Sequence, residues 1–171
     1  DVFLFYVFFE AMLIPVYFLI GLFGGPRRQY AAVKFLLFSL AGGLVMLVSV
    51  IATYVVGPGG DDGFLITSLT GNLDASTDAL RWIFVGFFIA FAVKAPMWPV
   101  HTWLPDAATE ARPATAVLLV GILDKIGTFG MLRYCLQLFP DSAMLFRPLV
   151  ITLAVIGIVY GALVAIGQRD M

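Results

Sequence analysis

Five stretches of twenty or so mostly apolar residues follow one another along this chain, and nothing else in the sequence restricts its fold as strongly. A helix rises about 1.5 Å per residue, so about 20 apolar residues cross the roughly 30 Å hydrocarbon core of a bilayer. Val2 to Phe23 supplies a first span, broken only by Glu10 and Pro15, and Tyr30 to Val56 a second, with Lys34 near its start. Leu80 to Val100, Ala114 to Leu138 and Phe146 to Gly167 supply three more. Composition agrees: 61% of the 171 residues are hydrophobic and 12% charged, whereas a soluble domain carries about 45–50% apolar and about 25% charged residues. The surplus apolar surface must face lipid. The expectation is an all-α, polytopic transmembrane helix bundle, with residues 1–171 forming a single membrane domain of five spans.

The connections are polar. Gly24-Gly25-Pro26-Arg27-Arg28 and Pro140-Asp141-Ser142 read as turns. Residues 57–78 hold Gly57-Pro58-Gly59-Gly60 and four aspartates, Asp61, Asp62, Asp74 and Asp78, and read as an external polar loop in which Asp78 caps the following helix. With alternating crossings, Arg27, Arg28, Lys34, Arg112 and Arg169 fall on one side, and Arg81, Arg133 and Arg147 on the other. The excess of bases places the Arg27-Arg28 turn in the cytoplasm. A net charge of −1 supplies no field for nucleic acid. The single cysteine, Cys135, sits in an apolar run as a small packed residue. No charged segment precedes a short apolar stretch, so no signal peptide is expected. The ending Gln168-Arg169-Asp170-Met171 makes the chain read as an excerpt of something longer.

Four charges stand where charges are costly: Glu10, Lys94, Asp124 and Lys125. Counting helical rise along each span, Glu10 lies roughly 20 Å from the Phe23 end, Lys94 roughly 21 Å from the Leu80 end and Lys125 roughly 17 Å from the Ala114 end. Each costs on the order of 3 kcal/mol or more against insertion, and such groups face a bundle interior or a wet cavity, where they pair. Snorkelling serves Lys34 near an end but not Lys125. A buried Glu–Lys pair that only fixes helix packing is the plain reading, and an ion or proton path is the functional one. Burial disfavours the charged form of either group, and an oppositely charged neighbour favours it. A pair whose separation changes is therefore suited to handing on a proton.

Lys94 has a particular backbone setting. Pro96 and Pro99 lack N–H donors and clash with the carbonyls four residues back, and Ala95 and Trp98 before them are biased away from helix. The third span should break just after Lys94 and expose free carbonyls there, as transporters do at ion sites. A simple proline kink is the alternative. His101, the only histidine, is of the residue type that suits a proton relay, and a packing role is the alternative for one histidine at a helix boundary. Trp82, Trp98 and Trp103 read as interfacial or packing aromatics, and Gly121, Gly127 and Gly130 as points of close helix contact. No metal-ligand spacing, nucleotide-cradling glycine pattern or nucleophilic triad is present in the sequence.

The run Lys94-Ala95-Pro96-Met97-Trp98-Pro99-Val100-His101-Thr102-Trp103-Leu104-Pro105-Asp106-Ala107 resembles the Lys-x-Pro…His-Thr-Trp-Leu-Pro-Asp-Ala segment of antiporter-like membrane subunits. These occur in proton-pumping NADH:quinone oxidoreductase (respiratory complex I), multisubunit cation/proton antiporters and membrane-bound hydrogenases. Phe9-Glu10-Ala11-Met12-Leu13-Ile14-Pro15 is similar to the family's buried-glutamate helix. Lys125-Ile126-Gly127-Thr128-Phe129-Gly130-Met131-Leu132-Arg133, ending in Leu138-Phe139-Pro140, is most similar to the M-type subunits of complex I. The resemblance implies about fourteen helices in two inverted five-helix repeats, of which this chain would be helices five to nine. It implies a charge pair of Glu10 with Lys94 on the broken helix, Lys125 on a central hydrophilic axis, and His101 as a relay. It places NAD, FMN, iron–sulfur clusters and quinone in partner subunits and no cofactor or catalytic redox site in this chain. The implied partners are the other membrane subunits of complex I, the lipid bilayer and protons, and the implied location is the bacterial inner membrane. Two departures stand out. Asp124 occupies a position that is usually apolar, and Glu110-Ala111-Arg112-Pro113 replaces a common Glu-Ala-Pro run.

Three functions follow as expectations. The leading one is proton translocation within NADH:quinone oxidoreductase, through Glu10, Lys94, Lys125, His101 and Asp124. The alternatives are a subunit of a multisubunit sodium/proton antiporter and a structural membrane scaffold whose buried charges only set packing.

Overall fold

The computed structural model describes residues 1–168, and among these the chain is helical, with no strand. Arg169, used above in the orientation count, lies outside the described residues. The first span is two helices, α1 (Val2–Ala11) and α2 (Leu13–Phe23), jointed at Met12. Next come α3 (Arg28–Val56), a short α4 (Ile66–Leu69) within the polar loop, and α5 (Thr77–Lys94). A cross-wise α6 (Trp103–Glu110) then leads to the fourth span, Pro113–Leu136. That span runs through α7 (Pro113–Leu118), α8 (Asp124–Gly130) and two stretches of wider i→i+5 winding, Leu119–Leu123 and Met131–Leu136. The last helix is α9 (Pro140–Gly167).

Among the described residues, four helical segments, Val2–Phe23, Arg28–Val56, Pro113–Leu136 and Pro140–Gly167, are long and apolar enough to cross a membrane. The expected third span, α5, has only 18 residues and carries Asp78, Arg81 and Lys94, so length and composition alone do not single it out. Its cap also differs from expectation. The Ser76 hydroxyl accepts from the Ala79 N–H at 3.3 Å, and Asp78 sits in the first turn, where its charge opposes the helix dipole favourably.

Helix α3 is the spine, running against α1, α2, α5 and α6. Two apolar cores form along it. One gathers Phe9, Met46, Val50, Phe87, Phe91, Tyr134 and Cys135, which confirms the packed setting of the cysteine. The other gathers Leu13, Ile20, Ala31, Phe35, Trp103 and Leu119. Outside them, side chains such as Val48, Val55, Trp82 and Ile158 are exposed, as a lipid-facing surface requires. Helix α9 buries only Ser142. The 57–78 loop is more ordered than its composition suggests. Ile66 and Leu69 are buried, Phe64 stacks on Tyr54, and the Phe64 carbonyl accepts from the Val2 N–H at 2.8 Å.

Candidate functional site

The helix break falls where the prolines put it. Helix α5 ends at Lys94, and Ala95 leaves helical geometry with ψ 44°. The expected free carbonyls, however, are largely taken. The Phe91 carbonyl accepts from the Ala95 N–H at 2.7 Å, and the chain rewinds past Pro96 so that the Met97 N–H reaches the Ala92 carbonyl at 2.9 Å. The Val93 carbonyl accepts from the indole N–H of Trp103 at 2.8 Å. Trp103 is therefore no interfacial aromatic. It is fully buried and closes the broken end of α5, because a buried carbonyl without a donor is costly. Its place nine residues beyond Lys94 in the quoted run was the available signal for that role.

Lys94 is buried to 1% exposure at the junction of the two apolar cores. Its ammonium lies 4.7 Å from the Phe9 ring centre and 5.9 Å from that of Phe35, a cage of two aromatic faces. Glu10, next to Phe9, projects from the same end of α1 towards α3. A methyl group built on Gly43 would fall on the Glu10 carboxylate, so this glycine leaves the space in which the carboxylate sits. Glu10 and Lys94 lie close enough to interact electrostatically, yet no contact ion pair joins them. Glu10 Oε1 and Lys94 Nζ are both buried without a hydrogen-bond partner, as is Ser39 Oγ on α3. Such orphaned groups are rare in natural interiors and call for a reason.

The other expected residues are placed differently. His101 is half-buried in the turn after the break, edge-on to Tyr160 of α9 with ring centres 5.2 Å apart, and its Nδ1 has no partner. Asp124 is half-buried, with Oδ1 unpartnered. Lys125 is exposed. It shares its helical face with Ile122, Phe129 and Leu132, all more than half exposed, while Gly127 and Gly130 turn the opposite face to Ala95 and Phe91 of α5. The structure thus brings Glu10 and Lys94 together and does not bring Lys125 to them. Gly127 and Gly130 do allow close helix contact; Gly121 does not, since nothing lies near it.

A second polar cluster, unforeseen as a unit, ties the 24–28 turn and the start of α3 to α6. The Glu110 carboxylate accepts from the Arg27 N–H at 2.9 Å and lies 3.6 Å from the Arg27 guanidinium. The Gly25 N–H donates to the Glu110 carbonyl at 2.9 Å, Arg112 Nε to the Phe23 carbonyl at 2.8 Å, and Lys34 Nζ meets Asp106 at 2.6 Å. Among the described residues, no group of histidine, cysteine and acidic side chains is arranged to hold a metal ion.

The class that emerges is a helical membrane segment built around a buried acid–base pair at a broken helix. All of residues 1–171 match one family, described as the transmembrane region of NADH:quinone oxidoreductase and Mrp antiporters. The chain belongs to that family. It is 60% identical over 178 residues to NADH-quinone oxidoreductase subunit M of Mycobacterium tuberculosis, covering 100% of this chain and 32% of that protein. It is 42% identical to the subunit M of Rhodobacter capsulatus, covering 35% of it. Among solved structures it superposes on a chain of respiratory complex I from Thermus thermophilus with bound NADH, at TM-score 0.90 and 38% identity, covering 100% of this chain and 36% of that one. The chain thus spans about a third of the length of the relatives it matches.

Proposed function

We propose that this chain is part of a multi-pass, proton-translocating subunit of an NADH:quinone oxidoreductase in the bacterial inner membrane, with Glu10 and Lys94 as its acid–base pair. The observation that carries the reading is a buried Lys94 and a half-buried Glu10 whose Nζ and Oε1 are both buried without a hydrogen-bond partner or a contact ion pair. Brought together, ammonium and carboxylate stabilise each other. Moved apart among apolar side chains, they favour transfer of the proton from nitrogen to oxygen, which leaves two neutral groups. A motion that alters their separation thereby loads and unloads a proton.

His101, in the turn beyond the break, relays towards α9 in this reading. Lys125 and Asp124 belong to a path completed by helices of the longer protein, since a lysine within an apolar exposed stripe suits a covering helix better than lipid. The 24–28 turn faces the cytoplasm and the 57–78 loop the other side. NAD, FMN, iron–sulfur clusters and quinone sit in partner subunits, and the bilayer and the other membrane subunits are the immediate neighbours.

The test uses the assembled complex in sealed membrane vesicles. Glu10→Gln and Lys94→Met should each cut NADH-driven proton uptake more than tenfold while the complex still assembles. Normal uptake by either assembled variant overturns the reading. The family also includes Mrp antiporters; ion exchange without any uptake on NADH addition would select that function instead.

A further inference from the structure

Helix α3 contributes more than packing to the acid–base pair. Phe35, Ser39 and Gly43 are spaced four residues apart and form one stripe along it, each buried. Phe35 lies over the Lys94 ammonium at one end of the stripe, and Gly43 makes room for the Glu10 carboxylate at the other. Ser39 stands between them, 1% exposed, with its hydroxyl unpartnered.

The level of Lys94 follows from the register of α3 against α5. Gly86 abuts the Ser49 hydroxyl and Gly42 abuts Val93, an antiparallel pairing that carries Lys94 opposite Ala41. Lys94 is thus flanked along α3 by Ser39 on one side and Gly43 on the other. A mid-helix serine ordinarily bonds back to the carbonyl four residues earlier, as Thr53 does to Ser49 at 2.7 Å. Ser39 makes no such bond, so its hydroxyl is free for another partner.

We infer that Ser39 is the hydrogen-bonding bridge between Lys94 and Glu10, and that Gly43 is the positioning residue that lets the carboxylate reach it. This rests on the acid–base reading above. The hydroxyl accepts from the Lys94 ammonium and donates to the Glu10 carboxylate, a role open to a hydroxyl because it is both donor and acceptor. In transfer, the ammonium gives one proton to Ser39 Oγ as the hydroxyl proton passes to Glu10. An amine, an intact hydroxyl and a carboxylic acid result, with atoms and charge conserved. Lys94 and Glu10 have long flexible side chains, so rotamer changes open and close the bridge.

The experiment compares Ser39→Ala, Ser39→Thr and Gly43→Ala in the assembled complex in vesicles, beside Glu10→Gln and Lys94→Met. Ser39→Ala should slow NADH-driven proton uptake about tenfold, the effect of one lost charge-assisted hydrogen bond on a rate. Ser39→Thr, which keeps the hydroxyl, should retain most of the rate. Gly43→Ala should slow uptake as well, because its methyl displaces the carboxylate. Full uptake by Ser39→Ala, or equal loss in Ser39→Ala and Ser39→Thr, overturns the bridge. Should Ser39→Ala fail to assemble, Ser39→Cys takes its place, and a rate matching Ser39→Thr overturns it equally. If Glu10→Gln and Lys94→Met pump normally, the acid–base reading itself falls. If they do not while Ser39→Ala does, only the bridge falls.

Discussion

Acids and bases meet twice in this chain, on opposite terms. At the α6 end they are in contact: Lys34 and Asp106 at 2.6 Å, and Arg27 and Glu110 joined through backbone and side chain. In the bundle interior Lys94 is fully buried and Glu10 partly so, with Oε1 buried, yet the two share no hydrogen bond. Stability alone would favour the reverse, since an uncompensated buried charge costs far more than a solvated one. Contact pairs near water hold a fold in place at little cost. A separated pair in an apolar interior stores electrostatic free energy that a small movement releases, and that is of use to a transporter. The surrounding aromatic cage of Phe9 and Phe35 keeps Lys94 from simply reaching a distant partner.

The sharpest way to break this contrast is to remove the interior pair altogether. Replacing Glu10 and Lys94 together by Leu and Met should abolish NADH-driven proton uptake, a loss greater than tenfold. Thermal stability of the solubilised complex should be unchanged or raised, because apolar replacement of a buried pair is often neutral or stabilising. A marked fall in stability with partial pumping would instead make the interior pair a structural lock like the one at the α6 end.

The next largest effect should come from Gly127→Ala. The added methyl would lie 2.6 Å from the Ala95 nitrogen and 3.0 Å from the Phe91 carbonyl, both backbone atoms that cannot rotate aside. Overpacking of this kind costs about 1–3 kcal/mol. It should also shift the broken end of α5, so pumping should fall along with stability, measured as thermal midpoint and proton uptake on the same preparation. Trp103→Phe follows, at about 1–2 kcal/mol, since it leaves the buried Val93 carbonyl without its donor. An unchanged thermal midpoint for that variant would mean that the carbonyl finds another donor.

Those two residues also mark how far the sequence could be read. Apolar length and the paired prolines after Lys94 carry the helical class and the position of the break, because both are local properties of the chain. Helical rise alone singled out Glu10 and Lys94 as charges far from a span end. What could not be read was which way each side chain faces once helices pack. Lys125 and Asp124 are adjacent in sequence, yet the first is exposed and the second half-buried, since successive residues on a helix point about 100° apart. Trp103 could be read only as an interfacial or packing aromatic, because its partner, the Val93 carbonyl, becomes free only through the proline break. Ser39 and Gly43 carried no signal at all, for small residues in an apolar helix are ordinary until a charge is found beside them. The α6 latch joins residues 83 positions apart, Arg27 and Glu110, a pairing that tertiary packing alone creates.

The smallest effect should come from the best-formed ion pair. Lys34 and Asp106 are at hydrogen-bonding distance, with side chains 22% and 30% exposed. A pair so open to solvent contributes no more than about 1 kcal/mol, and salt screens it. Asp106→Asn keeps the shape and a hydrogen-bond acceptor while removing the charge. It should lower the thermal midpoint only slightly, less still at high ionic strength, and leave proton uptake within about twofold of the parent. Lys34 lies towards the start of α3, with its ammonium held by Asp106 of α6 rather than by the interior pair. A loss of uptake comparable to that of Lys94→Met, with assembly intact, would mean that the latch and the interior pair form one charge network, and the contrast between them would have to be given up.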